Sequence, residues 1–297
     1  MNGLLSLRSG FRARTCSSNV CIHRIGIILI ALALSAGCAR GPSVLHDEHA
    51  LGEPLPYEPP GPGLRTAPPL PPIPPRVVSR GPRKEKLIAL TFDACSTRGV
   101  SHFDEAVIRE LIRAEVPATL FLGGKWMEEH PDETIELTRY PQFEFANHTH
   151  LHPHLQRESN ARVREEISRT QDVLYTLTGR RARLFRAPYA ELDERVARLV
   201  GEAGLVSVQY DLASGDPDRN VSAKRLIDYV SDMARNGSIV VMHMNGRGWH
   251  TAEALPRIIF RLRKKGFRFV TVGEMIGLTP IDTVVSAPRL PPKDNPR

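Results

Sequence analysis

Residues 87–95 read Leu87-Ile-Ala-Leu-Thr-Phe-Asp-Ala-Cys95, an apolar run that ends on a carboxylate and a thiol. The stretch Leu87 to Phe92 is too short for a stable helix, and its near-continuous apolarity suits a strand buried on both faces. Such strands belong to parallel sheets covered by helices, and the following chain alternates accordingly. Val107, Ile108, Leu111 and Ile112 predict a helix over 104–114, Thr119-Leu-Phe-Leu122 a strand, and 132–138 a polar helix. Phe143–Ala146 reads as a third strand, before a long helix over 159–177 with Val163, Ile167, Leu174 and Leu177 on one face. Short strands at 184–185, 205–208, 239–242 and 267–270 alternate with helices near 192–203, 222–235 and 251–264. About seven strands separated by helices imply an α/β fold with a parallel sheet, and this many units favour a barrel over an open sheet.

The rest of the chain is of a different character. At 297 residues, with 41% hydrophobic and 25% charged positions, the composition excludes a polytopic membrane protein and a wholly disordered chain. Thirteen of the 25 prolines lie between Pro42 and Pro82 and four more beyond residue 285, so the folded domain is placed at 84–280. Residues 39–83 are expected to be an extended, partly polyproline-like spacer, and 281–297 a similar tail. The net charge of +7 is local: Arg8, Arg12, Arg14, Arg24 and Arg40 face no acid in residues 1–40, which leaves +2 for the remainder. No basic stripe marks the domain, so nucleic acid is not an expected partner.

Residues 1–38 read as a targeting segment. The arginine-bearing start leads into Ile25-Gly-Ile-Ile-Leu-Ile-Ala-Leu-Ala-Leu34 and then Ser35-Ala-Gly-Cys38. That apolar run is shorter than the roughly 20 residues of a bilayer span and ends in small residues, as a signal peptide does. The order Leu-Ser-Ala-Gly-Cys is similar to a bacterial lipoprotein signal, with Ser35 where leucine is usual. The expectation is an exported domain tethered to a membrane by lipid on Cys38. Cys16 and Cys21 would leave with the signal, so Cys95 alone remains in the domain and no internal disulfide forms there.

The strand ends carry the chemistry. Asp93 and Cys95 follow the first strand; His148, His150, His152 and His154 follow the third; Arg186-Ala-Pro-Tyr189 follows the short strand at 184–185. Asp211 to Asp216 closes the next, and His243 ends the strand at 239–242. Parallel strands bring such ends together, at the side where these folds place their sites. Four histidines within seven residues signal a metal. His148 and His152, at i and i+4, converge on one ion if the segment turns as a helix, whereas His150 and His154 read as solvated loop residues.

These pieces in this order resemble the polysaccharide deacetylase (NodB-homology) family, carbohydrate esterase family 4, from about Leu87 to Glu274. The motifs are Thr-Phe-Asp at 91–93, His-Thr-x-x-His at 148–152, Arg-Ala-Pro-Tyr at 186–189, the Asp216 loop and Val-Met-His at 241–243. A closing segment runs from Thr251-Ala-Glu-Ala-Leu-Pro to Gly266-Phe-Arg-Phe-Val-Thr271. The resemblance implies a distorted (β/α) barrel with fewer than eight complete units, and metal-dependent removal of acetyl groups from N-acetylated envelope glycans. It implies Asp93 as general base, Arg186 as the cation paired with it, and His243 as general acid oriented by Asp216. It further implies His148 and His152 as ligands of Zn²⁺, or of Co²⁺ or Ni²⁺, and the backbone N–H of Tyr189 as an oxyanion donor.

One departure stands out. The family motif has two consecutive acids, the second a metal ligand, and this chain has Ala94 there. Asp104 at the start of the first helix, the Cys95 thiolate, or His150 or His154 are open as replacements, and the reading adopts Asp104. Pro217 also stands where tryptophan is usual, and Trp249 and His250, in the glycine-bearing loop after His243, are candidate sugar contacts. Two other readings remain: a catalytically silent carbohydrate-binding barrel that lost its metal with Ala94, and a hydrolase of a small amide.

Overall fold

Every side chain of the strand Leu87–Ala94 (β2) is buried, and the two-residue period of extended chain decides what each one meets. Ile88, Leu90, Phe92 and Ala94 join a large apolar cluster with helical residues such as Val107, Leu111, Leu226 and Ile258. Leu87 and Ala89 point the other way, into a second cluster with Phe121, Ala146, Val206 and Ile239 from neighbouring strands. The first cluster lies between sheet and helices, the second among the strands themselves. A strand with apolar partners on both sides is what a helix-covered parallel sheet requires.

The computed structural model describes residues 55–56, 63–98 and 101–278. Its strands are β1 Val77–Val78, β2, β3 Ala118–Leu122, β4 Phe143–Asn147, β5 Leu184–Phe185, β6 Val206–Val208, β7 Leu212–Ala213, β8 Ser238–His243 and β9 Arg268–Phe269. They form one sheet in the order β1-β6-β5-β4-β3-β2-β8-β7, with β9 added to the start of β2. Each of these pairings is parallel. Edges β1 and β7 do not meet, so this is a distorted, open (β/α) barrel.

Connecting helices are α1 Glu105–Arg113, α2 Gly124–Glu129, α3 Pro131–Leu137, α4 Asn160–Thr178, α5 Glu194–Glu202, α6 Ala223–Met233, α7 Thr251–Lys264 and α8 Val272–Met275. Their starts are written locally: Ser159, Asp193 and Ser222 each accept an N–H three residues on, the usual side-chain cap. The expected strands and larger helices all appear, with ends shifted by a few residues. Elements not anticipated are the two-residue strands β1 and β7 and the short helices α2 and α8, too brief to carry a period. No helix among the described residues is long and apolar enough to cross a membrane.

The expected boundary at residue 84 needs correction. Residues 63–83, assigned to a free spacer, run along the domain as an extended strap. Arg65 donates from its backbone N–H to Thr176 Oγ1 at 2.9 Å, and the Ala67 N–H donates to Asp172 Oδ1 at 2.7 Å. Ile73 N–H donates to Gly201 O at 2.9 Å, and β1 then lines the edge of β6. Gly201 permits that approach, since a Cβ there would sit 2.7 Å from the Ile73 oxygen. Proline-rich chain cannot build a core, yet it can cover a sheet edge, where a missing N–H costs little. The targeting segment 1–38, Cys38 and the tail 281–297 lie outside the described residues.

A chain beginning at residue 84 should therefore be less stable than one beginning at 63. The loss of strand pairing and of cover over apolar side chains should amount to about 2 kcal/mol, read as a lower denaturation midpoint in urea.

Candidate active site

Parallel pairing brings the strand ends level. Asp93 stands in register with His243 on β8 and Phe121 on β3; Leu122 pairs with Asn147 on β4, which pairs with Phe185 on β5. The residues next in line, His148 and Arg186, therefore arrive beside Asp93. Arg186 is 1% exposed, and its Nη1 donates to Asp93 Oδ1 at 2.6 Å and to Thr91 Oγ1 at 2.9 Å. Its guanidinium also lies 3.9 Å from the centroid of the Phe121 ring. Burying two charges carries a large desolvation cost, which a short hydrogen bond and an aromatic face under the cation offset.

The histidines are fixed with equal specificity. His148 Nδ1 lies 2.9 Å from the carbonyl oxygen of Arg186. A carbonyl only accepts, so Nδ1 carries the hydrogen and Nε2, 3.8 Å from Asp93 Oδ2, presents its lone pair. The rings of His148 and His152 meet edge to face with centroids 5.0 Å apart. They are not one helical turn apart, as their spacing had implied. Residues 148–152 form a loop in which Thr149 and His152 take left-handed φ values of 65° and 56°. Glu166 on α4 holds that loop, its Oε2 accepting from the His150 and Leu151 N–H groups at 2.7 Å each. Burial lowers the pKa of His148, against the pull of Asp93, and burial reinforced by the neighbouring histidines lowers that of His152 further. Both rings are neutral, as ligation demands.

Donor atoms of Cys95, His148 and His152 all lie within 4.8 Å of one another. His152 Nδ1 is buried without a hydrogen-bond partner, a state that buried nitrogens rarely tolerate. Imidazole and thiol donors at this distance fit a divalent cation of the zinc type. Burial pushes the Cys95 thiol up to about 12, with Arg247 and an Asn245 hydrogen bond acting in the opposite sense.

Asp104 is not brought into this group. Its Oδ2 accepts the Gly246 N–H at 3.0 Å, in the loop after His243, and it makes no side-chain cap to α1 either. His150 is no solvated loop residue: it is 2% exposed beneath α2, and burial, ahead of the charge of Arg169, takes its pKa down to about 3. His154 is half-buried, with Nδ1 3.1 Å from Glu191 Oε2 and its ring stacked on Tyr189 at 4.0 Å.

Beside Asp93, on the neighbouring strand β8, stands His243. Its Nδ1 is 2.8 Å from Asp216 Oδ1, and its own N–H donates to Asp216 Oδ2 at 2.7 Å. Ser214 and Thr251 hydroxyls donate to the same carboxylate at 3.0 and 2.6 Å. Burial alone pulls the His243 pKa down, but the charge and hydrogen bond of Asp216 outweigh it, so the net shift is upward. Asp93, His148, His152, Arg186, Tyr189 and His243 all line one open cleft. Tyr189 and Ala190 add φ values of 56° and 58°. Of the five non-glycine residues with left-handed φ among the described residues, these two with Thr149 and His152 flank the cleft. Strain of this kind gathers at functional sites.

Trp249 is 40% exposed and does not line that cleft; its Nε1 donates to the oxygen of Pro217, which does. Sequence reasoning missed Glu166, Ser214 and Tyr210. Glu166 carried a signal, a carboxylate beside Ile167 on the apolar face of the long helix. Tyr210, which lines the cleft with its hydroxyl pKa pushed by burial up to about 12, carried none.

An open barrel that sets a carboxylate-held imidazole beside an arginine-held carboxylate, with two further histidines on the same cleft, has the equipment of a hydrolase. Comparison narrows the class. Residues 80–208 match the family model for polysaccharide deacetylases. It is 29% identical over 197 residues to a peptidoglycan-N-acetylglucosamine deacetylase of Bacillus cereus, covering 66% of this chain and 70% of that one. It is 28% identical over 198 residues to the Listeria monocytogenes peptidoglycan-N-acetylglucosamine deacetylase PgdA, spanning 66% of this chain but only 40% of that relative. Among solved structures, the Bc1960 peptidoglycan N-acetylglucosamine deacetylase superposes with a TM-score of 0.64 at 28% identity, covering 68% of this chain and 94% of that one.

Because Asp216 is what raises the His243 pKa, Asp216→Asn should reverse the shift and leave burial in command. The acid form of His243 is lost as pH rises through its pKa, so the alkaline limb of kcat/KM should move to lower pH in this variant. A limb unmoved in a folded variant would show that His243 does not set it.

Proposed function

We propose that this protein is a metal-dependent deacetylase that hydrolyses the acetamide of N-acetylated sugars in an envelope glycan. The observation that carries the reading is that Asp93 and His243, in register on adjacent strands, line one cleft, each held by its own buried partner. The pairing with Arg186 and the pairing with Asp216 fix different jobs for the two groups. Several relatives, among them those of Bacillus cereus and Listeria monocytogenes, are peptidoglycan-N-acetylglucosamine deacetylases, which supports a glycan of that class as the substrate.

A divalent ion bound by His148 and His152, with Zn²⁺ preferred and Co²⁺ or Ni²⁺ similar, supplies Lewis acidity that polarises the acetyl carbonyl and acidifies water. The chain's own groups do the rest. Arg186 occupies Asp93 Oδ1 and leaves Oδ2, on the His148 side, to accept the proton of the attacking water. Asp216 fixes His243 by Nδ1, so Nε2 delivers a proton to the departing nitrogen. An amine leaves poorly without that proton, and the raised pKa of His243 keeps it available near neutrality. The Tyr189 backbone N–H serves in this reading as donor to the developing oxyanion, a role supported by the left-handed turn of Tyr189 at the cleft. Trp249, exposed beside Pro217, offers an aromatic face to a neighbouring sugar at the rim.

Export and attachment through lipid on Cys38 complete the proposal, supported by the apolar run Ile25–Leu34 and the small residues after it. Cys38→Ser should move the protein from the membrane fraction to the soluble one.

Acetate release from peptidoglycan fragments and chitooligosaccharides tests the activity. Asp93→Asn should lower kcat by at least about 100-fold while the protein keeps its metal, whereas His148→Ala should lose both. Turnover of small acetamides alone would assign the chain to small-amide hydrolysis. No turnover from a metal-loaded protein would leave a sugar-binding barrel.

A further inference from the structure

The family's second carboxylate is missing at Ala94, and this alanine packs away from the histidines. In β2 the even positions Ile88, Leu90, Phe92 and Ala94 pack into the cluster under the helices, and Ala94 is fully buried among them. The odd positions face the other way, where Thr91 and Asp93 meet Arg186. An extended chain repeats its direction every two residues. The next side chain on the Asp93 side is therefore Cys95.

Three further observations converge on that thiol. Its Sγ lies with donor atoms of His148 and His152 inside a common span of 4.8 Å. His148 spends Nδ1 on the Arg186 carbonyl, which turns a bare Nε2 inward, and His152 Nδ1 is buried with no hydrogen-bond partner. The thiol is also held in place: Asn245 Nδ2 donates to Sγ at 3.5 Å and to the Cys95 carbonyl at 2.7 Å. Cys95 has no disulfide partner among the described residues. Asp104, the other acid within reach in sequence, is engaged by the Gly246 N–H.

We propose that Cys95 Sγ is the third protein ligand of the metal site, giving one thiolate and two imidazoles in place of one carboxylate and two imidazoles. The inference deepens the metal-dependent reading above and rests on it. The substitution keeps the ligand set's charge, since thiolate and carboxylate each bring one negative charge. It changes the set's softness: a sulfur donor favours Zn²⁺ and Co²⁺ and disfavours Mg²⁺, Ca²⁺ and Mn²⁺, which take oxygen donors. It also leaves a fourth position open, as a catalytic zinc requires.

The test uses the purified protein with Zn²⁺ and Co²⁺ as probes, read without reference to turnover. Zinc-edge X-ray absorption of the wild type should show one sulfur scatterer at about 2.3 Å together with nitrogen at about 2.0–2.1 Å. The Co²⁺ form should show a thiolate-to-metal charge-transfer band in the near ultraviolet. Cys95→Ser should abolish both signatures and weaken zinc binding by more than the roughly 10–100-fold typical of losing an outer-shell partner. Cys95→Asp should bind zinc more tightly than Cys95→Ser does, without the sulfur signal, which separates ligation from a folding defect. Mn²⁺ should fail to displace zinc from the wild type but compete better in Cys95→Asp. If the wild type binds one zinc that His148→Ala loses, yet shows only nitrogen and oxygen neighbours, the Cys95 inference is overturned and the metal-dependent reading survives. If the wild type binds no zinc, that broader reading falls, and the inference with it.

Discussion

The buried pair between Asp93 and Arg186 is the constraint around which the site is arranged. Arg186 reaches Asp93 and Thr91 on β2 from the end of β5, with its guanidinium over Phe121 from β3. One side chain thereby ties together β2, β3 and β5 at the ends that carry the site. Its backbone contributes as well, because the Arg186 carbonyl sets the tautomer of His148. The base's partner and the orientation of the first histidine therefore depend on one residue. A shift of the β5 end would disturb both at once, which makes this region the point where fold and chemistry are coupled.

Much of this was legible in the sequence, for an identifiable reason. Strands buried on both faces are written as apolar runs, and the helices between them as periodic faces, so the α/β barrel follows from pattern alone. Catalytic groups at strand ends were visible because parallel topology makes sequence-distant ends into neighbours. Asp93, Arg186 and His243 could be placed together before any coordinate was known. What depends on loop geometry was not legible. The spacing of His148 and His152 matches a helical turn, but the chain converges them through left-handed residues and the Glu166 anchor, which lies on another helix. Asp104 looked available because nothing in the sequence reveals that the backbone of Gly246 claims it. The strap over 63–83 was hidden by composition, since proline content signals the lack of a core and is silent about packing on someone else's.

The alternation within β2 repays closer thought. Family motifs are compared position by position, and in that frame Ala94 is a deleted ligand. In the frame of an extended strand, position 94 belongs to the layer under the helices, and its alanine fills that layer without leaving an acid to bury. The same chain then offers a donor one residue later, on the side where the histidines lie. Loss of one ligand and retention of the site are thus compatible, provided sulfur replaces oxygen.

The electrostatics argue against a barrel that only binds sugars. Two hydrogen-bonded pairs of titratable groups sit almost wholly out of water, one at Asp93 and Arg186, the other at Asp216 and His243. Apolar residues of similar volume commonly fill such positions at equal or better stability. A binding surface would gain nothing from holding an arginine under a carboxylate at the bottom of its cleft, or from spending four hydrogen bonds on the single carboxylate of Asp216 to orient one imidazole. These arrangements make sense if a proton must be taken at one side of a bound amide and returned at the other, because then the geometry of each carrier has to be settled before the substrate arrives.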